Sequence, residues 1–140
     1  MKRKTEIVAN AGLGAVHGIA APLGGTMPIP HGIVCARLLP IVMEANLGAL
    51  RSRAKESPAL ARYDETARLL TGNASARAEE GVEWVRSVCA DLSVPCLSSL
   101  GLTPNELPAL AGKAQKSSSM RGNPVQLTPE ELTYILEKAL

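Results

Sequence analysis

Gly12-Leu13-Gly14-Ala15-Val16-His17-Gly18-Ile19-Ala20-Ala21-Pro22-Leu23-Gly24-Gly25-Thr26-Met27-Pro28-Ile29-Pro30-His31 separates into three pieces on backbone chemistry alone. Residues 5–21 are small or apolar almost all round, the pattern of a helix buried on every side. Gly12, Gly14 and Gly18 inside it each cost about 1 kcal/mol relative to Ala. The expected return is close approach by neighbouring helices. From Pro22 to Pro30, three prolines and two glycines predict a break, because proline has no amide hydrogen with which to continue the ladder. A second helix is expected to start near His31, with Val34, Leu38, Ile41 and Ala45 on one face and a kink at Pro40.

The helices farther along carry end signals. Ser57 is placed to cap a helix with Pro58 in its first position, presenting Leu60, Tyr63, Ala67 and Leu70 and stopping at Gly72. Ser75 is expected to open the next, with Ala78, Val82, Val85, Cys89 and Leu92 as its apolar stripe. Thr103-Pro104-Asn105-Glu106 and Thr128-Pro129-Glu130-Glu131 are two copies of one capping-box design. Leu102 with Leu107, and Leu127 with Leu132, stand as hydrophobic staples around them. Residues 117–124, between these two starts, read as a polar loop. The expectation is a single all-α domain over residues 1–140, a bundle of about six helices.

Composition agrees. The 140 residues include 20 Ala, 19 Leu and 12 Gly but no Phe, one Trp and two Tyr. A β-sandwich or barrel draws on aromatic and β-branched side chains, whereas Ala and Leu are the strongest helix formers. A net charge of +2 leaves no electrostatic footprint for nucleic acid, and three aromatics do not make a base-stacking platform. No run reaches the roughly 18 apolar residues of a membrane-spanning helix, so no membrane partner is expected. Met1-Lys2-Arg3-Lys4 and the residues up to Leu23 superficially resemble a secretory signal, but Glu6, Asn10 and His17 interrupt the apolar run. Cys35, Cys89 and Cys96 form no C-x-x-C pair and read as three reduced thiols of a cytoplasmic protein. Nothing in the sequence around Cys96 suggests activation.

Only two histidines are present, and both lie in the opening stretch. On an unbroken helix His17 and His31 would stand about 21 Å apart. A turn between them lets His31, at the start of the second helix, approach His17 on the first. Two imidazoles meeting there would suit a divalent transition metal. Spacing alone is more simply served by two unrelated histidines, because two ligands do not make a metal site. Asp64, Asp91 and Glu44 are the carboxylates available as oxygen ligands, and each reads more simply as a solvated helix residue.

The run Gly12 to Gly25, with Ile29-Pro30-His31-Gly32-Ile33-Val34 and Leu39-Pro40-Ile41-Val42-Met43-Glu44-Ala45-Asn46, resembles a signature of the iron-containing (group III) alcohol dehydrogenases. Gly122-Asn123-Pro124 and the segment from Leu127 to Leu136 resemble the C-terminal end of the same family. The likeness extends from about Asn10 onward. It implies the all-helical C-terminal domain of a dehydroquinate-synthase-like fold. In that family one Asp and three His hold Fe²⁺, or in some members Zn²⁺, and an N-terminal α/β domain binds NAD(P). The metal polarises the alcohol or carbonyl oxygen while hydride moves to or from the nicotinamide.

Carried over by position, His17 and His31 match the last two histidine ligands. Ala21 stands where many members have a further active-site histidine, which removes a proton relay at that point. The resemblance further implies that the nucleotide-binding domain, the Asp and the first His ligand lie before Met1. The expected function is therefore that of a truncated alcohol dehydrogenase-like domain, inactive alone, with NAD(P) bound only if a nucleotide-binding domain is supplied. Its expected partner is that domain or a second copy in a homodimer. The alternative is a helical dimerisation or partner-binding module with no catalysis.

Overall fold

The computed structural model describes residues 14–140, and its regular elements are all helical. Six α-helices follow one another: α1 (Gly14–Thr26), α2 (His31–Arg53), α3 (Pro58–Thr71), α4 (Ala78–Asp91), α5 (Leu107–Gln115) and α6 (Pro129–Ala139). Short 3₁₀ turns occupy Leu97–Leu100, Pro104–Glu106 and Ser118–Gly122. The long α2 is the axis of the bundle. It packs against α1, α4 and α6, while α5 bridges α1 and α6, and α3 lies on α4.

Two apolar clusters meet at α2. The larger joins Ala15, Ile19 and Leu23 of α1 to Val34, Leu38 and Val42, and to Leu110, Ile135 and Leu136 from α5 and α6. The smaller sets Met43 and Leu47 against Val82 and Val85 of α4, with half-buried Leu60 and Tyr63 from α3. Thus α2 is buried on two sides, and the single stripe from Val34 to Ala45 describes only one of them. Its length and composition also suffice to cross a membrane, contrary to the expectation from unbroken apolar runs. Half of that apolar window is buried against the other helices.

The break after α1 comes later than expected. Residues 5–13 of the first expected helix lie outside the described residues, and the helix continues through Pro22, Gly24 and Gly25 to Thr26. Proline in a helix interior costs about 3 kcal/mol. Burial of Ile19 and Leu23, the latter 0% exposed, contributes about 1.5–3 kcal/mol each and outweighs that cost. The last turn is closed by the Thr26 hydroxyl, which donates to the Leu23 carbonyl at 3.1 Å. Met27 to Pro30 then reverses the chain. Gly14 is not a mid-helix residue but the first residue of α1, at φ +73°, a conformation that L side chains rarely adopt.

At Pro40, α2 continues as well. A proline leaves the carbonyl four residues earlier without its partner. Here that carbonyl belongs to Ala36, and the Cys89 thiol of α4 donates to it at 3.3 Å. A supposedly idle cysteine thus satisfies the group that a proline orphaned.

Several end signals act as read. The Ser57 hydroxyl accepts from the Ala59 amide, Pro58 opens α3, and Gly72 closes it at φ +71°. At α6, Thr128 Oγ1 accepts from the Glu131 amide while Glu131 Oε2 accepts from the Thr128 amide at 2.8 Å. Glu106 closes the same loop on Thr103, and all four staple leucines are buried. Ser75, by contrast, sits in a turn organised by Asn73 Oδ1, and α4 begins at Ala78. Its first amide is capped from another helix, by Asp64 Oδ1 at 2.8 Å. Leu92, expected on the buried stripe, is 73% exposed because α4 ends before it.

Close packing of α3 on α4 depends on Gly81. A methyl group there would sit 2.9 Å from the Ala67 Cβ and 3.0 Å from its Cα. Gly81→Ala should therefore lower stability by about 1–3 kcal/mol through overpacking, against a helix-propensity gain of about 1. Gly18→Ala meets one flexible side chain, Met120, whose Cγ, Sδ and Cε all lie at 3.0 Å, and should cost clearly less than Gly81→Ala. Urea unfolding of the two variants checks the contrast. Equal losses would contradict it.

Candidate metal centre

His17 lies in the first turn of α1 and His31 is the first residue of α2, so the reversal at Met27–Pro30 brings them together. Their ring centroids stand 5.3 Å apart with the planes inclined by 50°. One turn along α2, Cys35 places its Sγ 3.4 Å from His31 Nε2. One donor atom from each of the three residues lies within 4.8 Å of the other two. His31 is exposed to solvent while His17 and Cys35 are half-buried, so the cluster opens outward. Burial pushes the Cys35 thiol above its ordinary range.

What holds the first turn of α1 in place is a side-chain pair that sequence reasoning missed. Asn46, 3% exposed, is the one buried polar residue among those described. Its Nδ2 donates to Asn123 Oδ1 at 3.2 Å and to Tyr63 Oη at 3.1 Å, while Asn123 Nδ2 returns a bond to Asn46 Oδ1 at 2.8 Å. Asn123 Oδ1 also accepts from the Ala15 amide at 3.1 Å, two residues before His17. The segment 117–124 is accordingly not a plain polar loop. Its 3₁₀ turn packs on α1, with Met120 against Gly18.

Of the carboxylates considered as oxygen ligands, none joins the cluster. Asp64 caps α4, Glu44 pairs with Arg86 at 2.8 Å, and Asp91 ends α4 in solvent. A groove of about 470 Å³ lies elsewhere, between α2, α4 and α6, lined by Arg37, Glu44, Arg86 and Tyr134. Its arginines are already engaged, Arg86 by Glu44 and Glu83 and Arg37 by the carbonyls of Lys138 and Ala139. Cys96, expected to be unactivated, is brought down to about 7, chiefly by its hydrogen bond with Ser98 and then by the Ser99 amide. It lies apart from the histidine cluster.

Cys35 was overlooked as a partner of the histidines. Its signal was available as His31-x₃-Cys35, the i, i+4 spacing that puts two side chains on one helix face.

Nitrogen donors from imidazole suit Fe²⁺ and Zn²⁺ alike, and the two rings approach closely enough to share one ion with modest side-chain rotation. The donor set therefore fits a divalent transition metal. No strand occurs among the described residues, so no strand–glycine turn–helix unit is available to cradle a pyrophosphate.

Residues 6–140 match the family described as Fe-containing alcohol dehydrogenase family, C-terminal. Alcohol dehydrogenase 4 of Saccharomyces cerevisiae is 34% identical over 131 residues, covering 93% of this chain and 32% of that protein. Lactaldehyde reductase of Escherichia coli K12 is 31% identical over 137 residues, covering 94% and 34%. Among solved structures, a 1,3-propanediol oxidoreductase superimposes with a TM-score of 0.77 at 28% identity, covering 91% of this chain and 32% of that one. An alcohol dehydrogenase from Oenococcus oeni gives 0.76 at 31% identity over the same shares. The chain thus spans about a third of the length of these relatives. The 140 residues belong to the Fe-containing alcohol dehydrogenase family, as its C-terminal helical region.

Proposed function

We propose that this chain is the metal-holding helical part of an NAD(P)-linked alcohol dehydrogenase, with His17 and His31 as two of the ligands to Fe²⁺ or Zn²⁺. The observation that carries this reading is the meeting of the two rings at 5.3 Å across a chain reversal. Such a metal, when bound, supplies Lewis acidity toward an alcohol or carbonyl oxygen. The residues' own part is positional. α1 and α2 fix one imidazole each, the Asn46–Asn123 pair anchors the turn that bears His17, and Ala21 leaves the next turn of α1 without a titratable group.

The partner this role requires is a nucleotide-binding domain, because the described helices offer no cradle for the cofactor. A cytoplasmic location accords with three free thiols. The reading as a dimerisation module draws on Leu69 and Leu92, which are 79% and 73% exposed. These are two separate side chains rather than a patch that decides the matter.

Two measurements test the proposal. Elemental analysis of the purified chain, reloaded under reducing conditions, is expected to give one equivalent of Fe or Zn. Assayed by itself with alcohols and NAD⁺ or NADP⁺, the chain is expected to give no turnover, having two of the family's four ligands and no nucleotide cradle among the described residues. Metal-free folded protein would support the module instead. Measured turnover would overturn the inactivity of the isolated chain.

A further inference from the structure

We propose that Cys35 is a third ligand in the same centre, giving this chain a His₂Cys donor set that prefers Zn²⁺ to Fe²⁺. This inference rests on the metal-holding role of His17 and His31 and adds a sulfur donor to it. The three donor atoms lie within 4.8 Å of one another, and the Cys35 Sγ to His31 Nε2 distance is 3.4 Å. Bonds of about 2.0–2.1 Å to nitrogen and 2.3 Å to sulfur put tetrahedral donors about 3.3–3.6 Å apart. The His31–Cys35 pair thus already stands at chelating separation, fixed by one helical turn. Only His17, half-buried in the first turn of α1, has to close the remaining gap.

The chemistry favours the softer ion. A thiolate selects zinc over the harder Fe²⁺, and Fe²⁺ also lies below Zn²⁺ in the general affinity order. Three donors from one chain are a set that a tetrahedral Zn²⁺ accepts together with a further ligand. Neither of the other thiols competes for the role. Cys89 is engaged with the Ala36 carbonyl, and Cys96 lies with Ser98 next to the C-terminal Leu140.

Cobalt titration of the reduced, metal-free 140-residue chain tests the proposal. One equivalent of Co²⁺ should bind with an intense near-ultraviolet band from sulfur-to-cobalt charge transfer. Cys35→Ser should lose that band and weaken Zn²⁺ binding at least about tenfold. Cys89→Ser and Cys96→Ser should keep the band. In competition, wild type should retain zinc against excess Fe²⁺, and Cys35→Ser should lose much of that preference. A band that survives in Cys35→Ser overturns the proposal, as does wild-type binding with no such band. If His17→Ala abolishes binding while Cys35→Ser leaves it unchanged, the histidine pair stands and Cys35 falls. If folded wild type binds neither Co²⁺ nor Zn²⁺, both readings fall. Helical circular dichroism establishes that each variant is folded, and Cys35→Ala replaces Cys35→Ser should the serine variant not fold.

Discussion

Asn46→Ala is expected to lower the unfolding free energy by about 2–4 kcal/mol. A hydrogen bond contributes about 0.5–1.5 kcal/mol net, and this substitution removes three, while Asn123 keeps the Ala15 amide on Oδ1 and the Val125 carbonyl on Nδ2. Asn123 loses the Asn46 Oδ1 that its Nδ2 donates to and the Asn46 Nδ2 that donates to its Oδ1, and the Tyr63 hydroxyl loses its donor. Tyr63 already feels its surroundings, for burial holds its hydroxyl above the ordinary range, partly offset by the Asn46 bond. Against a total stability of about 5–15 kcal/mol, the loss is a large fraction of the whole. Urea unfolding should show a lowered midpoint with an unchanged slope. The pair with Asn123→Ala should be non-additive by about 0.5–3 kcal/mol, since the two side chains touch. A loss under 1 kcal/mol would mean that solvent replaces the network, which would then not anchor α1.

His17→Ala is expected to abolish metal-dependent stabilisation altogether. A metal at 100 times its dissociation constant stabilises the folded state by about 2.7 kcal/mol. For a domain of this size that corresponds to a rise in Tm on the order of 10 °C. His17 is the only donor of the cluster on α1, whereas His31 and Cys35 share α2. Removing it converts a site that joins two helices into a chelate on one, and the ion then has no reason to hold α1 to α2. His31→Ala should weaken binding strongly too, but it leaves donors on both helices and should retain a small residual shift. Differential scanning fluorimetry with and without Zn²⁺ reads both variants. A full rise in Tm for His17→Ala would exclude His17 as a ligand.

The elements that were legible in the sequence are those decided within one turn of chain. Thr128 with Glu131 and Ser57 with Pro58 carry their own hydrogen-bond partners, so spacing alone fixes where those helices start. Elements decided by distant atoms were not legible. Pro22 and two glycines read as a break because the burial that overrides them comes from helices far along the chain. Ser75 lost its capping role to Asp64, a carboxylate on the preceding helix. The candidate metal ligands show the same division. His17 and His31 were named from the sequence because a family resemblance supplied the fold that joins them. Cys35 was passed over although its spacing from His31 is local, because a lone thiol gains meaning only beside a second donor. Asn46 and Asn123 both fall in runs that resemble the family, but 77 residues apart nothing local pairs them.

X-ray absorption at the zinc edge, on the folded chain loaded with one equivalent of Zn²⁺, tests the histidine centre most directly. Two imidazole rings on the ion give characteristic outer-shell scattering. The expected spectrum contains that scattering from two rings in wild type and from no more than one ring in His31→Ala or His17→Ala. A wild-type spectrum built from oxygen neighbours alone, with no imidazole scattering, would contradict a metal held by His17 and His31.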